Sequence, residues 1–265
     1  MGADGCNLIE GESCTGPYGW IAPFVGSAPG GVELDQAGPE ISIVLPCRNE
    51  EPTIADAIAA ARKAFEGRRI EVIVPDSSTD RSPEIARGMG AIVVTPATLG
   101  YGAAYRSGFQ RCTGRYIAMA DPDGTYDLTE LPMLLAPLEV GRADLVIGSR
   151  LRGRIEPGAM PAFKRHLGNP FLTWLLNALF GVGVTDAHCG MRALTAGALR
   201  MMDLRTTGME FASEMLVQAK RAGLRIVEVP ISYRRRKGAP SKLSSLRDGW
   251  RHVRYMVKAR LGGHS

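Results

Sequence analysis

The chain has 265 residues, which is enough to bury a full core in one large domain or two small ones. Apolar residues make up 45% and charged residues 22%, as in an ordinary soluble globular protein. The net charge of +5 mildly favours anionic partners such as nucleotides or lipid head groups, and no feature predicts nucleic acid as a partner.

Five cysteines, an odd number at wide spacing, argue against a disulfide framework and indicate a reducing compartment. None of them forms a pair or a cluster with zinc-binding spacing. The N-terminus lacks a signal-peptide pattern, and no run reaches the roughly 18–20 apolar residues that span a bilayer. We therefore predict a cytoplasmic protein, and leave open a peripheral position on the inner face of the cell membrane.

Residues 1–40 are rich in Gly, Pro and Ser without periodicity, which predicts a mobile arm or a surface wrap. Strands and helices then alternate along the chain. The predicted strands are 41–46, 70–74, 91–94, 116–120 and 144–148. The predicted helices run over about 53–65, from Asp80 or Ser82 onward, over about 102–111, and near 128–139.

This alternation predicts an α/β fold with a doubly wound parallel sheet and right-handed crossovers. Ligands of such sheets lie beyond the carboxyl ends of the strands, so the loops there should hold the chemistry. The polar or glycine residues at these strand ends are Asn49, Glu50, Asp76, Gly100–Gly102, Asp121, Asp123, Ser149 and Arg150. We predict that they form one cluster.

Asp121 and Asp123 follow the strand predicted at 116–120. Side chains two positions apart on a strand point the same way, so both carboxylates can face one site. Two carboxylates at a buried strand end are costly unless a cation or hydrogen bonds compensate them. We predict Mg²⁺ or Mn²⁺, shared with substrate phosphates; the alternative is a solvated acidic turn.

The second half of the chain changes character. Residues 171–184 are almost wholly apolar, yet at about 1.5 Å per residue they are too short for the ~30 Å hydrocarbon core. A buried helix and an interfacial, lipid-facing lip are both open. Residues 209–222 predict an amphipathic helix that carries Glu210 and Glu214 on one face, and 225–229 and 231–235 predict strands.

Residues 244–261 predict a basic amphipathic helix. Its apolar side is expected to carry Leu246, Trp250, Val253 and Val257, surrounded by arginine and lysine. The pattern fits a helix on a membrane surface, or one docked on the domain with a solvated basic face. The predicted division is an arm at 1–40, a main domain at 41–240 and this helix at 241–265.

Eight segments, in order, resemble the family 2 glycosyltransferases of the GT-A fold, in the branch of dolichyl- or polyprenyl-phosphate sugar synthases. The resemblance covers about Ile41 to the C-terminus. It implies a mostly parallel sheet flanked by helices. The segments are ISIVLPCRNEEPTI, IVPDSSTDRS, LGYGAAYRSGF, DPDGTYD, VIGSR, TDAHCGMRA, GMEFASEML and RKGAPSKL.

The resemblance implies which residues hold a nucleoside-diphosphate sugar. Asp121 matches a position near the ribose and the metal, and Asp123 matches the principal metal ligand. The nucleotide-sugar positions are Pro46, Asn49, Glu50, Asp76, Gly102, Asp121 and Asp123. Two residues depart from the family pattern. Pro75 replaces an aspartate, and Thr125 stands where relatives often have glutamine, so the third metal ligand stays open.

Four basic residues are implied to contact phosphates: Arg150, Arg192, Arg236 and Lys242. The planar guanidinium fork suits phosphate oxygens. The segment RKGAPSK resembles a loop that closes over the site. For two of Arg234, Arg235 and Arg236, a solvated strand edge is an equally open alternative.

The resemblance implies inversion at the anomeric carbon, with a hexose moving from UDP- or GDP-hexose to polyprenyl phosphate. Asp186 matches an active-site carboxylate that orients the acceptor or accepts a proton, and Glu210 is a second candidate. Asp186 could instead be a helix cap or the ion-pair partner of Arg192. A soluble hydroxyl acceptor and a non-catalytic nucleotide-sugar-binding subunit stay open as alternative functions.

Overall fold

Seven strands form one sheet in the part of the chain that the structure describes, residues 38–237 and 245–262 of the computed structural model. The order across the sheet is β3-β2-β1-β4-β6-β5-β7. The strands are β1 Ile41–Val44, β2 Ile70–Pro75, β3 Ile92–Val94, β4 Tyr116–Met119, β5 Leu145–Ile155, β6 Arg192–Thr195 and β7 Ile226–Tyr233.

Eight α-helices connect and cover these strands within the same ranges. They are α1 Ile54–Ala64, α2 Ser82–Gly88, α3 Tyr101–Phe109, α4 Leu131–Glu139, α5 Asn169–Phe180, α6 Ala196–Met201, α7 Phe211–Arg221 and α8 Ser245–Arg260. A 3₁₀ turn at Leu128–Glu130 precedes α4, and a π-helical turn at Lys164–Gly168 precedes α5.

The first half of the sheet is parallel, as the strand–helix alternation predicts. β1 pairs in parallel with both β2 and β4, and β2 pairs in parallel with β3. All four residues of β1 and of β4 are buried. Such continuous apolar runs are typical of parallel strands covered by helices on both faces.

The antiparallel strand β6 is not predicted by the sequence pattern. It lies between β4 and β5 and runs antiparallel to both. Since Met119 pairs with Arg192, the residues that precede Arg192 lie beside those that follow Met119. The antiparallel strand β6 therefore brings residues 186–191 to the carboxyl end of β4.

β7 is one continuous strand where the sequence predicts two. It pairs in parallel with β5, which is also longer than predicted and reaches Ile155. Pro230 interrupts the predicted pattern, but β7 lies at the edge of the sheet, where a missing backbone donor is tolerated.

The C-terminal helix α8 packs against α5 and α7. Its buried residues are His252, Tyr255, Met256 and Ala259. The ring of His252 lies edge-on to His188, with the centroids 4.4 Å apart, and its Nδ1 lies 2.8 Å from Ser213 Oγ. Trp250 and Val257 face outward with the basic residues, so the docked side of α8 is not the apolar side that the sequence pattern indicated, and membrane contact of that side stays a prediction.

Helix α5 is partly buried and partly exposed. Thr173 and Leu176 are buried, whereas Phe171 and Trp174 are exposed and stack with their ring centroids 6.1 Å apart. One side of this helix is therefore buried, as one alternative predicted. The other side is exposed, and its contact with lipid stays a prediction. Among the described helices, none has both the length and the apolar composition needed to cross a bilayer.

The docked face of α8 can be tested with two neighbouring residues. Met256 is 0% exposed and Val257 is 45% exposed. Met256→Ala should lower the free energy of unfolding by about 2–5 kcal/mol, because it leaves a cavity in the core. Val257→Ala should change it by no more than about 0.5 kcal/mol. Urea unfolding followed by circular dichroism measures both, and equal losses would contradict the orientation of α8.

Candidate active site

Asp121 and Asp123 follow β4 and share one turn, as predicted. Asp123 is buried, and its Oδ1 accepts hydrogen bonds from Thr125 N at 3.0 Å and from Thr125 Oγ1 at 2.6 Å. Thr125 therefore orients Asp123 in this chain. The third metal ligand, which the sequence left open at this position, stays a prediction.

The surroundings of Asp121 disfavour its negative charge. Burial and the neighbouring Asp123 carboxylate raise the pKa of Asp121 to about 7, although Arg236 and Arg150 act in the opposite direction. Tyr105 Oη donates to Asp121 Oδ1 at 3.4 Å, and a hydrogen bond from Tyr101 also acts to lower the pKa of Asp121. A divalent cation would relieve this charge, and oxygen ligands of this kind suit Mg²⁺ or Mn²⁺.

Two carboxylates are a partial coordination shell. In the described ranges 38–237 and 245–262, no group of three or more His, Cys, Asp or Glu side chains could hold a metal ion. The residues present therefore fit a cation that takes its other ligands from substrate oxygens and water, as Mg²⁺ commonly does.

The guanidinium of Arg236 joins the turn after β4 to the loop after β1. Its Nη1 lies 2.5 Å from Asp123 Oδ2, and its Nη2 donates to Glu50 Oε1. In the strand order, β1 is followed by β2 on one side and β4 on the other. Arg236 thus spans the topological switch point, where ligands of open α/β sheets bind.

The loops after β1 and β2 are also held together. Ser78 Oγ donates to Asp76 Oδ1 at 2.6 Å and accepts a hydrogen bond from Asn49 N at 2.7 Å. Asn49 has a φ of 55°, and its Oδ1 accepts from Thr79 N at 2.8 Å. Pro46, half-buried, lies at the start of the same loop. The predicted nucleoside-side residues Pro46, Asn49, Glu50 and Asp76 therefore lie on two connected loops.

Asp186 and Arg150 form a buried ion pair. Asp186 Oδ2 accepts from Arg150 Nε at 2.7 Å and from Arg150 N at 3.1 Å, while Oδ1 accepts from Nη2 at 2.7 Å. The guanidinium also lies over the ring of Tyr233, 5.2 Å from its centroid. Burial acts to lower the pKa of Arg150, but the Asp186 carboxylate helps raise it well above its usual value.

This geometry changes the interpretation of Asp186. Both of its oxygens are engaged by Arg150, so the structure does not support a role as proton acceptor. Its ion-pair partner is Arg150 rather than Arg192, which the sequence suggested as an alternative. Asp186 acts here as the residue that positions Arg150.

Glu228 in β7 is part of the same support, and sequence reasoning missed it. Its Oε1 accepts hydrogen bonds from Thr185 N at 2.7 Å and from Asp186 N at 2.9 Å. Glu228 thereby fixes the backbone of the residue that holds Arg150. The sequence shows only that Glu228 is an acidic residue within an apolar strand. It does not indicate that Glu228 contacts Thr185 and Asp186.

Comparisons with known proteins show the family to which the chain belongs. The family model "Glycosyl transferase family 2" matches residues 42–201, from the second residue of β1 to the end of α6, with the acidic turn between them. The chain belongs to glycosyl transferase family 2.

Relatives within this family include two from Haloferax volcanii. The low-salt glycan biosynthesis hexosyltransferase Agl6 is 52% identical over 221 residues, covering 83% of this chain and 53% of that protein. This chain therefore spans about half the length of that relative. A dolichyl-phosphate hexose transferase is 34% identical over 200 residues, covering 75% of this chain and 85% of that protein.

Solved structures give the same fold. Glucosyl-3-phosphoglycerate synthase from Mycobacterium tuberculosis, crystallised with Mn²⁺, UDP-glucose and phosphoglyceric acid, superposes with a TM-score of 0.67 at 25% identity. The match covers 86% of this chain and 82% of that one. The predicted GT-A fold is confirmed.

The resemblance to family 2 implied that Arg192 and Gly102 bind ligand, and both residues have structural roles here. Arg192 is buried and donates to three backbone carbonyls, those of Cys189, Ala187 and Ala212, each at 2.9 Å. The structure therefore does not support Arg192 as a phosphate ligand. A Cβ on Gly102 would lie 2.4 Å from Thr206 O, so close packing against that backbone requires glycine.

Lys242 and Glu210 were also predicted as site residues. Lys242 lies outside the described residues. Glu210 Oε2 lies 3.2 Å from Arg251 Nε of α8, so this carboxylate takes part in docking the C-terminal helix.

The buried pair gives a stability prediction. Asp186→Asn should lower the free energy of unfolding by about 3–5 kcal/mol, since it leaves the buried Arg150 without a counter-ion. Asp203→Asn is the control, because Asp203 pairs with Arg205 at the surface and should cost less than about 1 kcal/mol. Denaturant unfolding measures both variants. A loss for Asp186→Asn no larger than that of the control would show that Arg150 does not depend on Asp186.

Proposed function

We propose that this chain is a metal-dependent, inverting hexosyltransferase that moves a hexose from a nucleoside-diphosphate sugar to polyprenyl phosphate. The observation that carries the proposal is the Asp121–Asp123 pair at the switch point, with Arg150 and Arg236 both acting on Asp121. The proposed site combines carboxylates, which favour a cation, with guanidinium groups, which suit phosphate oxygens. Transfer from a diphosphate requires both kinds of group.

The donor binds with its diphosphate at this site. Asp121 and Asp123 would hold the cation, and Asp76 accepts hydrogen bonds on the nucleoside side of the same edge. When bound, a divalent cation stabilises the leaving diphosphate as a Lewis acid. Support comes from the solved neighbour, whose crystals contain Mn²⁺ and UDP-glucose.

A phosphate acceptor matches the side chains near the site. A lipid phosphate is already an oxyanion at neutral pH, so the protein must align it and balance its charge rather than remove a proton. The one buried carboxylate expected to act as a base, Asp186, is fully engaged by Arg150. The relative named dolichyl-phosphate hexose transferase supports the same acceptor class.

A soluble hydroxyl acceptor is the second candidate. It is favoured by the likeness to a synthase crystallised with UDP-glucose and phosphoglyceric acid. A hydroxyl must lose its proton during transfer, and therefore needs a base within hydrogen-bond reach. The engaged state of Asp186 makes this the weaker candidate.

An exposed aromatic face would place the enzyme at the membrane that holds such a lipid. The face is formed by Phe163, Leu167, Phe171 and Trp174. Lys164 and Arg165 lie within the same helical segment and favour anionic head groups, each by about 1 kcal/mol near the surface. The outward side of α8 adds Trp250 and Val257 among basic residues. The inner face of the cell membrane is the position we propose.

Removing the principal metal ligand tests the chemistry. Asp123→Asn should lower kcat for hexose transfer by about 10²–10³, the usual cost of one preorganised electrostatic group. Asp144→Asn is the control, because Asp144 precedes β5 and pairs with Arg225 at the opposite end of that strand from the site. Product formation from a radiolabelled donor measures both. Unchanged turnover in Asp123→Asn would reject the metal assignment.

Donor and acceptor classes can be separated with the wild-type protein. Thermal unfolding with UDP or GDP, with and without Mn²⁺, should show one base that stabilises the fold more, because a ligand contributes RT ln(1 + [L]/Kd). Turnover with a short-chain prenyl phosphate should exceed turnover with hydroxyl acceptors. The reverse ranking would favour the second candidate, and binding without any transfer would indicate a non-catalytic subunit.

The aromatic face gives a membrane prediction. Replacing Phe171 and Trp174 by Ser should weaken binding to phosphatidylglycerol vesicles at least about tenfold, since each large side chain contributes roughly 1.5–3 kcal/mol when buried in an apolar phase. Met201→Ser is the control, an exposed apolar residue on α6. Co-sedimentation measures the binding. Equal binding by all three proteins would remove the aromatic face from the proposal.

A further inference from the structure

The segment that follows β7, residues 234–237, lies against the acidic turn; we name it the strap. Arg234 N donates to Thr125 O at 2.8 Å, and Lys237 N donates to Asp123 O at 3.1 Å. A Cβ on Gly124 would lie 3.2 Å from the Cβ of Lys237, so the two chain segments are in close contact. The backbone of Arg236 is thereby fixed beside Asp123.

The side chain of Arg236 lies between Asp123 of the cation site and Glu50 of the neighbouring loop. It contacts Asp123 Oδ2 at 2.5 Å and also reaches Glu50 Oε1. Asp123 Oδ1 is already occupied by Thr125, so Oδ2 is the oxygen that an incoming cation must share or take. The Arg236 side chain is 25% exposed, so its guanidinium can exchange partners without opening the core.

We propose that Arg236 is a resident counter-ion that occupies the cation site until a divalent cation binds there. This inference rests on the proposed function and adds an order of events to it. A divalent cation and a guanidinium repel each other at one carboxylate, so loading of the cation displaces Arg236 from Asp123. The diphosphate then offers oxygen acceptors that suit the freed guanidinium. The backbone contacts of the strap keep Arg236 within reach throughout.

The proposal gives two opposite effects for one substitution. In Arg236→Gln, Mn²⁺ alone should bind at least roughly fivefold tighter, the lower end of usual coupling between two ligands, because its competitor is gone. UDP should bind the Mn²⁺-loaded variant at least roughly fivefold more weakly, because its phosphate contact is lost. A merely structural role for Arg236 would weaken both.

The measurement is binding, not turnover. Free Mn²⁺ is followed by electron paramagnetic resonance during titration, and UDP affinity is followed by calorimetry at saturating Mn²⁺. Arg235→Gln is the charge-matched control, since Arg235 is 64% exposed and pairs with Glu156 away from the site. Arg236→Lys keeps the charge but cannot bridge two carboxylates. Its Mn²⁺ affinity should lie between those of the wild type and Arg236→Gln, and it provides the test if the Gln variant unfolds.

The outcomes separate the two proposals. An unchanged or weaker Mn²⁺ affinity in Arg236→Gln, with wild-type binding of Mn²⁺ and UDP intact, overturns the resident counter-ion and leaves the proposed function standing. A wild-type chain that binds neither Mn²⁺ nor UDP overturns both.

Discussion

Negative charge at the switch point of the sheet is the constraint on which the site depends. Glu50 follows β1 and Asp123 follows β4, and Arg236 balances both in the structure. Asp121, on the same turn, has a raised pKa because it is buried and lies beside the Asp123 carboxylate. Buried carboxylates need compensating positive charge, and the fold creates this site by ending two neighbouring parallel strands in acidic loops.

The two arginines of the site are held in different ways. Arg150 is locked by Asp186, and Glu228 in turn fixes the backbone at Asp186. Arg236 is partly exposed: its guanidinium pairs with Asp123 and Glu50, and its backbone lies between the hydrogen-bonded residues Arg234 and Lys237. A locked charge suits a preorganised contact that costs no rearrangement during reaction, whereas an adjustable charge suits the admission and release of ligands.

Local parts of the site were predictable. Asp121, Asp123 and Thr125 lie within five consecutive residues, and the spacing of the two aspartates already places them on one side of a strand end. The apolar runs of β1 and β4 likewise predict their burial. By contrast, the partner of Asp186 is 36 residues away in Arg150, and Arg192 carries no sequence signal that its guanidinium points inward to backbone carbonyls. Contacts of that range are decided by packing.

The sequence by itself determined the alternation of strands and helices, the acidic turn and the family, since these depend on neighbours along the chain. The tertiary structure alone decided the insertion of β6, the buried side of α8 and the pairing of Asp186 with Arg150. It also decided that Arg236 reaches Asp123 and Glu50, residues 113 and 186 positions away. The physical reason is that a side chain's partner depends on which elements the sheet order and helix packing bring together, and periodicity records only which faces are apolar.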